Sequence, residues 1–261
     1  MWRRHADMVE QPILRQALRM EQARVRHYET AIVSRFDVVF AVSEVDRAAL
    51  AALGVPIDRL RILPNVPDPS LLERPPLSPS REPRMLFLAT LSWRPNIDGL
   101  TRFLSTELGS LRERVPQATL LVAGSGAPQR LIREMGDAPG VEFAGPVEDV
   151  DPLYRSARCF VDVSVGGSGT QVKVLNALAR GLPVVARADI AEALEIAQGR
   201  DLLVGRSVTE MVASLERVLT DDRLWTSLSE HGRELIKRRY LPEVAFSSLD
   251  STLDGPGISH P

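Results

Sequence analysis

The sequence predicts an α/β protein whose main part is a doubly wound parallel sheet, and three observations carry that reading. Short apolar runs such as Met85 to Thr90 and Cys159 to Val163 alternate with stretches of helical periodicity, the pattern of strand–helix–strand units. Glycine clusters, Gly124-Ser125-Gly126 and Gly166-Gly167-Ser168-Gly169, follow two of those runs, where a parallel strand hands over to its helix. A proline-crowded stretch from Pro64 to Pro83 sets the alternation apart from what precedes it and reads as a stiff linker at a domain boundary.

Composition bounds the function. The 261 residues, 44% hydrophobic, suffice for one sizeable core or one and a half smaller ones. A net charge of −2 gives no electrostatic footprint for nucleic acid. The single cysteine, Cys159, has no internal disulfide partner, which fits a reducing compartment. No apolar run approaches the ~20 residues that span a bilayer, and the N-terminal arginines precede no signal-type apolar run, so a cytoplasmic protein is expected.

Taken in order, Trp2 to Arg35 reads as one or two helices, with Pro12 at a helix start and Leu14, Leu18, Val25, Tyr28 and Ile32 as an apolar stripe. That stripe needs a cover, so self-association or a partner over the N-terminal helices is expected. Phe36 to Val42 is a strand, Ser43 a cap for a helix over Glu44 to Leu53, and Arg59 to Leu63 a second strand. After the linker, strands are predicted at Met85 to Thr90, Ala118 to Ala123, Val141 to Phe143, Cys159 to Val163, Pro183 to Ala186 and Leu202 to Val204. Between them lie helices over Ile97 to Arg114, Pro128 to Met135, Pro152 to Ser156 and Thr170 to Arg180. Three more follow, near Val208 to Leu219, Asp222 to Arg239 and Pro242 to Leu249.

The commonest order for six such strands is 3-2-1-4-5-6, which reverses between strands 1 and 4, and ligands bind outside the carboxyl ends there. The loops meeting at that point are Thr90 to Asn96 and Ser164 to Thr170. The second carries the glycines, which let backbone approach a ligand closely, and opens a helix whose free N–H groups suit phosphate. Ser168 or Thr170 is expected to cap that helix, and Gly181 with Pro183 behind it to end it. At helical spacing Lys173, Asn176 and Arg180 share a face expected to turn toward a ligand, while Val172, Leu175 and Ala179 share a face for the core. A capped amphipathic helix with a solvated lysine is the alternative on the loop alone.

The order V-S-E, I-L-P-N-V, W-R-P-N-I-D-G-L, L-L-V-A-G-S-G, F-A-G-P-V-E-D-V and V-G-G-S-G-T-Q-V-K-V-L-N-A-L-A-R-G-L-P-V-V-A resembles the group 1 (family 4) glycosyltransferases, from about Arg24 to Tyr240. The resemblance implies a GT-B fold, with one complete Rossmann-like domain here and a remnant of a second. The domains it implies are an acceptor-side remnant over 1–64, the linker over 65–84, a nucleotide-sugar-binding domain over 85–240, and a terminal helix and tail over 241–261. It implies transfer of a sugar from a nucleotide-sugar donor with retention, in polysaccharide or glycoconjugate synthesis, without metal or cofactor. Gly167, Ser168, Gly169, Thr170 and Lys173 match the family's phosphate-binding loop and helix lysine. Asn176 and Glu192 match positions near the ribose and sugar.

The chain departs from the pattern. The family's paired glutamates, eight positions apart, fall on Ser168 and Asn176, so both carboxylates are missing. Gln171 replaces a common arginine, and the loop after strand 5 reads A-D-I-A-E-A-L with bulkier residues around Glu192. Most of the acceptor-side domain is not represented, so no catalytic residue can be named. The alternative reading is therefore a truncated, catalytically weak nucleotide-sugar-binding or partner-dependent protein.

Other constellations carry less. Strand 1 is followed by L-S-W-R-P-N, without the glycines of a dinucleotide fingerprint, and no Walker A sequence exists. Asp149-Val150-Asp151 imitates a metal-binding D-x-D, but capping of the helix at Pro152 accounts for it better. The four histidines are scattered. Trp93 and Arg94 in the switch-point loop either touch the donor or are a packed tryptophan and a solvated arginine. Gly124 either approaches the nucleotide or makes a simple turn. The acceptor, the sugar and the base are not specified by the sequence.

Overall fold

The computed structural model describes residues 12–165, 171–194, 196–247 and 249. The described residues divide into two compact units, 12–65 with the last few residues from 243, and 66–165 with 171–242.

In the first unit, helix α1 (Pro12–Val33) begins at the expected proline. Strands β1 (Val39–Ala41) and β2 (Leu60–Ile62) pair in parallel through Val39 with Leu60 and Ala41 with Ile62, joined by helix α2 (Glu44–Ala51). Ser43 caps α2, accepting from Asp46 N at 3.1 Å, as its position before an apolar-periodic run predicts. On α1, Tyr28 and Met20 are exposed, and Val25 and Ile32 are half-buried.

The second unit holds the six-stranded sheet. Its strands are β3 (Arg84–Leu88), β4 (Thr119–Ala123), β5 (Val141–Gly145), β6 (Cys159–Asp162), β7 (Val184–Arg187) and β8 (Leu203–Gly205). All pair in parallel in the order β5-β4-β3-β6-β7-β8, the predicted doubly wound order. Its helices are α3 (Ser70–Glu73), α4 (Arg94–Ser105), α5 (Glu107–Arg114), α6 (Gln129–Asp137), α7 (Asp151–Ser156), α8 (Val172–Arg180), α9 (Ala188–Ala193), α10 (Val208–Thr220) and α11 (Asp222–Arg239); α12 (Pro242–Ala245) begins at the unit's last residue and falls in the first unit.

Strand alternation sorts the core into two layers. Met85, Phe87, Leu120, Val122, Cys159 and Val161 face one layer, filled by Phe103 of α4, Leu111 of α5, Met135 of α6 and Leu215 of α10. Leu86, Leu121, Phe160 and Val184 face the other, filled by Tyr154 of α7, Leu175 and Leu178 of α8, Ile190 of α9 and Ile236 of α11. Helices thus change face where strand order reverses, as right-handed crossovers require. Cys159 lies fully buried, and burial pushes its thiol up to about 12.

Three local expectations are corrected. The single helix over Ile97 to Arg114 is two, because the backbone leaves helical values at Thr106 (φ −124°, ψ −59°). Ser105 Oγ and Thr106 Oγ1 both donate to Arg102 O, at 2.9 and 2.8 Å, and Glu107 is buried beside Arg102. Hydroxyl competition for a helix carbonyl favours such a break. The segment after β7 is a helix, α9, rather than a loop. Within the proline-rich stretch, α3 buries Leu71 against the second layer. Among the described residues no helix is long and apolar enough to cross a membrane.

Candidate functional site

The carboxyl ends of β3 and β6 meet at the reversal of strand order, and the loops leaving them are pinned by backbone contacts. After β3, Ala89 N donates to Ala123 O (3.1 Å) and Leu91 N to Ser125 O (2.7 Å), which binds this loop to the one after β4. Gly124 permits the approach: its φ is +146°, and a Cβ there would lie 1.8 Å from Ala89 O. Trp93 then occupies the N-cap position of α4 without a side-chain capping bond, and Pro95 stands in the first turn, where a missing N–H costs nothing. After β6, Val165 N donates to Pro95 O at 3.0 Å. Gly99 brings α4 against the same strand exit, since a Cβ would fall 2.1 Å from Val163 O.

Inside this junction lies a buried polar cluster. Asp162, at the end of β6, is fully buried and accepts from Ser164 N (3.1 Å) and Ser164 Oγ (2.7 Å). Lys173, in the first turn of α8, donates to Asp162 Oδ1 at 3.0 Å, to Ser164 Oγ at 2.6 Å and to Asn96 Oδ1 at 3.2 Å. Three acceptors match the three protons of an ammonium. Its Nζ also stands 5.1 Å from the centroid of the Phe87 ring. Asn96 Nδ2 donates to Thr90 O (2.9 Å), so the amide orientation is fixed by both of its ends. The Ser164 hydroxyl has one proton and two acceptors at 2.7 Å, Asp162 Oδ1 and Asn96 Oδ1. Among the described residues, Asp162 Oδ2 is buried without a hydrogen-bond partner.

The sequence singled out Lys173 but missed Asp162, Ser164 and Asn96. The available signal was an aspartate alone in an apolar strand, Cys-Phe-Val-Asp-Val, because a carboxylate buried there must find a cation. Of the other expected residues, Asn176 is half-buried, and its Oδ1 accepts from Asp68 N at 2.9 Å. Trp93 is 47% exposed and Arg94 pairs with Asp98 at 2.8 Å. Glu192 is exposed on α9. Gly167, Ser168, Gly169 and Thr170 lie outside the described residues. Helix α8 itself starts at Val172 with Gln171 at its N-cap and no side-chain cap, two residues later than expected; Gly181 ends it at φ +84°, as expected. Beside the junction, a cavity of about 250 Å³ opens among Arg94, Asp98, Thr101, Pro128, Arg130 and Glu134.

The expected division of α8 into ligand and core faces is corrected at two positions. Val172 is exposed, and Arg180 is buried rather than turned to a ligand. Arg180 Nε donates to Asp151 Oδ1 at 2.5 Å and its Nη1 to Pro75 O at 2.8 Å. Arg74 and Arg155 reach Asp151 Oδ2 at 3.0 and 3.3 Å. Burial works to raise the Asp151 pKa, but the Arg180 hydrogen bond and the charges of Arg180, Arg74 and Arg155 outweigh it and hold the carboxyl below its ordinary value. Asp149 Oδ1 accepts from Asp151 N (3.0 Å), so this D-x-D is a local turn whose second carboxylate belongs to the arginines.

Comparison with known proteins shows what the chain is similar to. Residues 82–221 match the family described as "Glycosyl transferases group 1". A GDP-mannose-dependent alpha-(1-6)-phosphatidylinositol monomannoside mannosyltransferase of Mycobacterium tuberculosis is 27% identical over 241 residues. That match covers 84% of this chain and 62% of the relative, so the chain spans less than two thirds of the relative's length. Among solved structures, TarM superposes with a TM-score of 0.75 at 14% identity, covering 89% of this chain and 46% of TarM. Anabaena HepE in complex with UDP and glucose gives 0.70 at 16%, covering 88% of this chain and 67% of HepE. At these identities the two structures speak for the fold.

Proposed function

Starting from a chain that belongs to the group 1 glycosyltransferases, we propose that it binds a nucleotide-sugar donor at the carboxyl ends of β3 and β6 and transfers the sugar, with retention, to an acceptor in polysaccharide or glycoconjugate synthesis. One observation carries the donor site: the glycine loop leaves β6 where strand order reverses, and the N-terminus of α8 follows it. In this reading residues 85–240 form the donor domain and 1–64 the end of an acceptor-side domain. Gly167, Ser168, Gly169 and Thr170 supply N–H and hydroxyl donors to the diphosphate, and Lys173 belongs to the same donor site. Asn176 and Glu192 lie toward ribose and sugar; Trp93, Arg94 and Gly124 line the approach from β3 and β4.

A second reading, donor binding with weak transfer, is favoured by Asn176. It is an amide where the family resemblance implies a carboxylate, and its oxygen is taken by the Asp68 N–H. A neutral amide binds a ribose hydroxyl more weakly than a carboxylate does. Incubating the chain with GDP- and UDP-sugars, with and without lipid and saccharide acceptors, separates the two. Acceptor-dependent nucleotide release at ~1 s⁻¹ or faster supports the transferase. Binding with only slow, acceptor-independent release supports the second reading, and neither binding nor release contradicts both.

A further inference from the structure

We propose that Asp162, Ser164 and Asn96 are positioning residues of the donor site, and that Lys173 acts through them rather than as a direct counter-charge to the phosphates. The inference rests on the donor-site reading above. Lysine at the start of a helix behind a glycine loop invites the simpler picture of an ammonium on a phosphate. The geometry points elsewhere. Each Lys173 proton has a protein acceptor, and one of those acceptors is the carboxylate of a fully buried aspartate. The pair is neutral, so it adds no net positive charge to the field at a bound diphosphate. Turning the ammonium toward a phosphate would strip Asp162 of the cation it pairs with among the described residues, inside the core where an unpaired charge is costly.

What the cluster does is tie three segments together. Asp162 and Ser164 belong to the exit of β6, Asn96 to the start of α4, and Lys173 to the first turn of α8. Asn96 extends the tie to the β3 loop through Thr90 O, and the bond from Val165 N to Pro95 O closes the same junction. Residues 164–165 and 171–173 are the described chain ends on either side of the glycine loop. Lys173 therefore sets where that loop departs and where the α8 N-terminus points, and the phosphates are met by N–H groups and the helix dipole.

A charge-neutral double variant tests this. Lys173→Met alone leaves Asp162 buried and unpaired; it is expected to lower the melting temperature by roughly 6 °C or more. It should weaken GDP or UDP binding, whichever the wild type prefers, by about 10-fold or more. Asp162→Asn combined with Lys173→Met removes both charges while keeping the bulk. It is expected to recover the melting temperature but, with the tie to α8 still cut, to bind the same nucleotide about 10-fold or more weakly. Ser164→Ala, which keeps Lys173 and its Asp162 partner, separates the two roles: affinity about 10-fold down supports positioning, whereas unchanged or tighter binding would overturn the proposal and leave Lys173 a direct phosphate ligand. No recovery of stability would overturn it by showing the two residues uncoupled. Failure of the wild type to bind either nucleotide overturns the donor-site reading instead; the melting-temperature arm needs no ligand and tells the two failures apart.

Discussion

Arg180 illustrates what a side chain's sequence position can and cannot say. Helical spacing puts it in line with Lys173 and Asn176, yet it runs inward to Asp151 while Lys173 runs to Asp162. Periodicity gives the direction from which a side chain leaves the helix, not whether the space there is solvent. Here α8 packs on the sheet, on α11 and on α3, so most of its circumference is covered. Replacing Arg180 by methionine leaves Asp151, among the described residues, the more exposed Arg74 and Arg155, and should cost ~3 kcal/mol in urea unfolding. The pH dependence has a definite sign. Because the folded-state pKa of Asp151 is depressed, its contribution is present above the unfolded value of about 3.9 and is lost as pH falls through the folded value. The stability gap between wild type and Asp151→Asn should therefore narrow from pH 5 to pH 3. A constant gap would mean that the arginines do not hold the carboxylate ionised.

Elements were legible where a local signal fixes them. Ser43 and Gly181 mark the ends of α2 and α8 in the sequence and in the fold. The break between α4 and α5 was not legible, because Ser105 and Thr106 interrupt the helix only by bonding back to Arg102 O, a choice made with Glu107 buried beside Arg102. Helix α9 was hidden for a similar reason: Ile190 and Ala191 read as loop residues until β7 and β8 supply a surface to bury them. Element packing also explains Gly99, which looks like an ordinary weak point in a helix. Gly99→Ala would press a methyl into Val163 O, and since backbone must move, the expected cost is ~2 kcal/mol, a melting-temperature drop of roughly 4–8 °C. An unchanged or raised melting temperature, the usual gain from Gly→Ala in a helix, would show that α4 does not press on the β6 exit.

At the scale of the whole chain, the six-strand order and its reversal point followed from the alternation of strands and helices, because crossover handedness leaves few topologies. The junction where the loops after β3 and β6 meet was legible from the strand order, but the polar cluster inside it was not. A glycine loop and a lysine are local signals, whereas the cluster joins residues 68 and 77 positions apart, Asn96 to Ser164 and to Lys173. The acceptor side is not legible from a chain that spans 62% of its mannosyltransferase relative. The central claim, a nucleotide-sugar donor held by the glycine loop at the β3–β6 junction, is tested most directly by calorimetric titration. GDP and UDP are titrated into the wild type, into Gly167→Asp, and into Arg114→Gln, a surface control paired with Glu216. The account predicts saturable one-to-one binding of at least one nucleotide, about 10-fold weaker or worse with a carboxylate at position 167 and unchanged in the control. No saturable binding by the wild type, or equal affinity in Gly167→Asp, would contradict it.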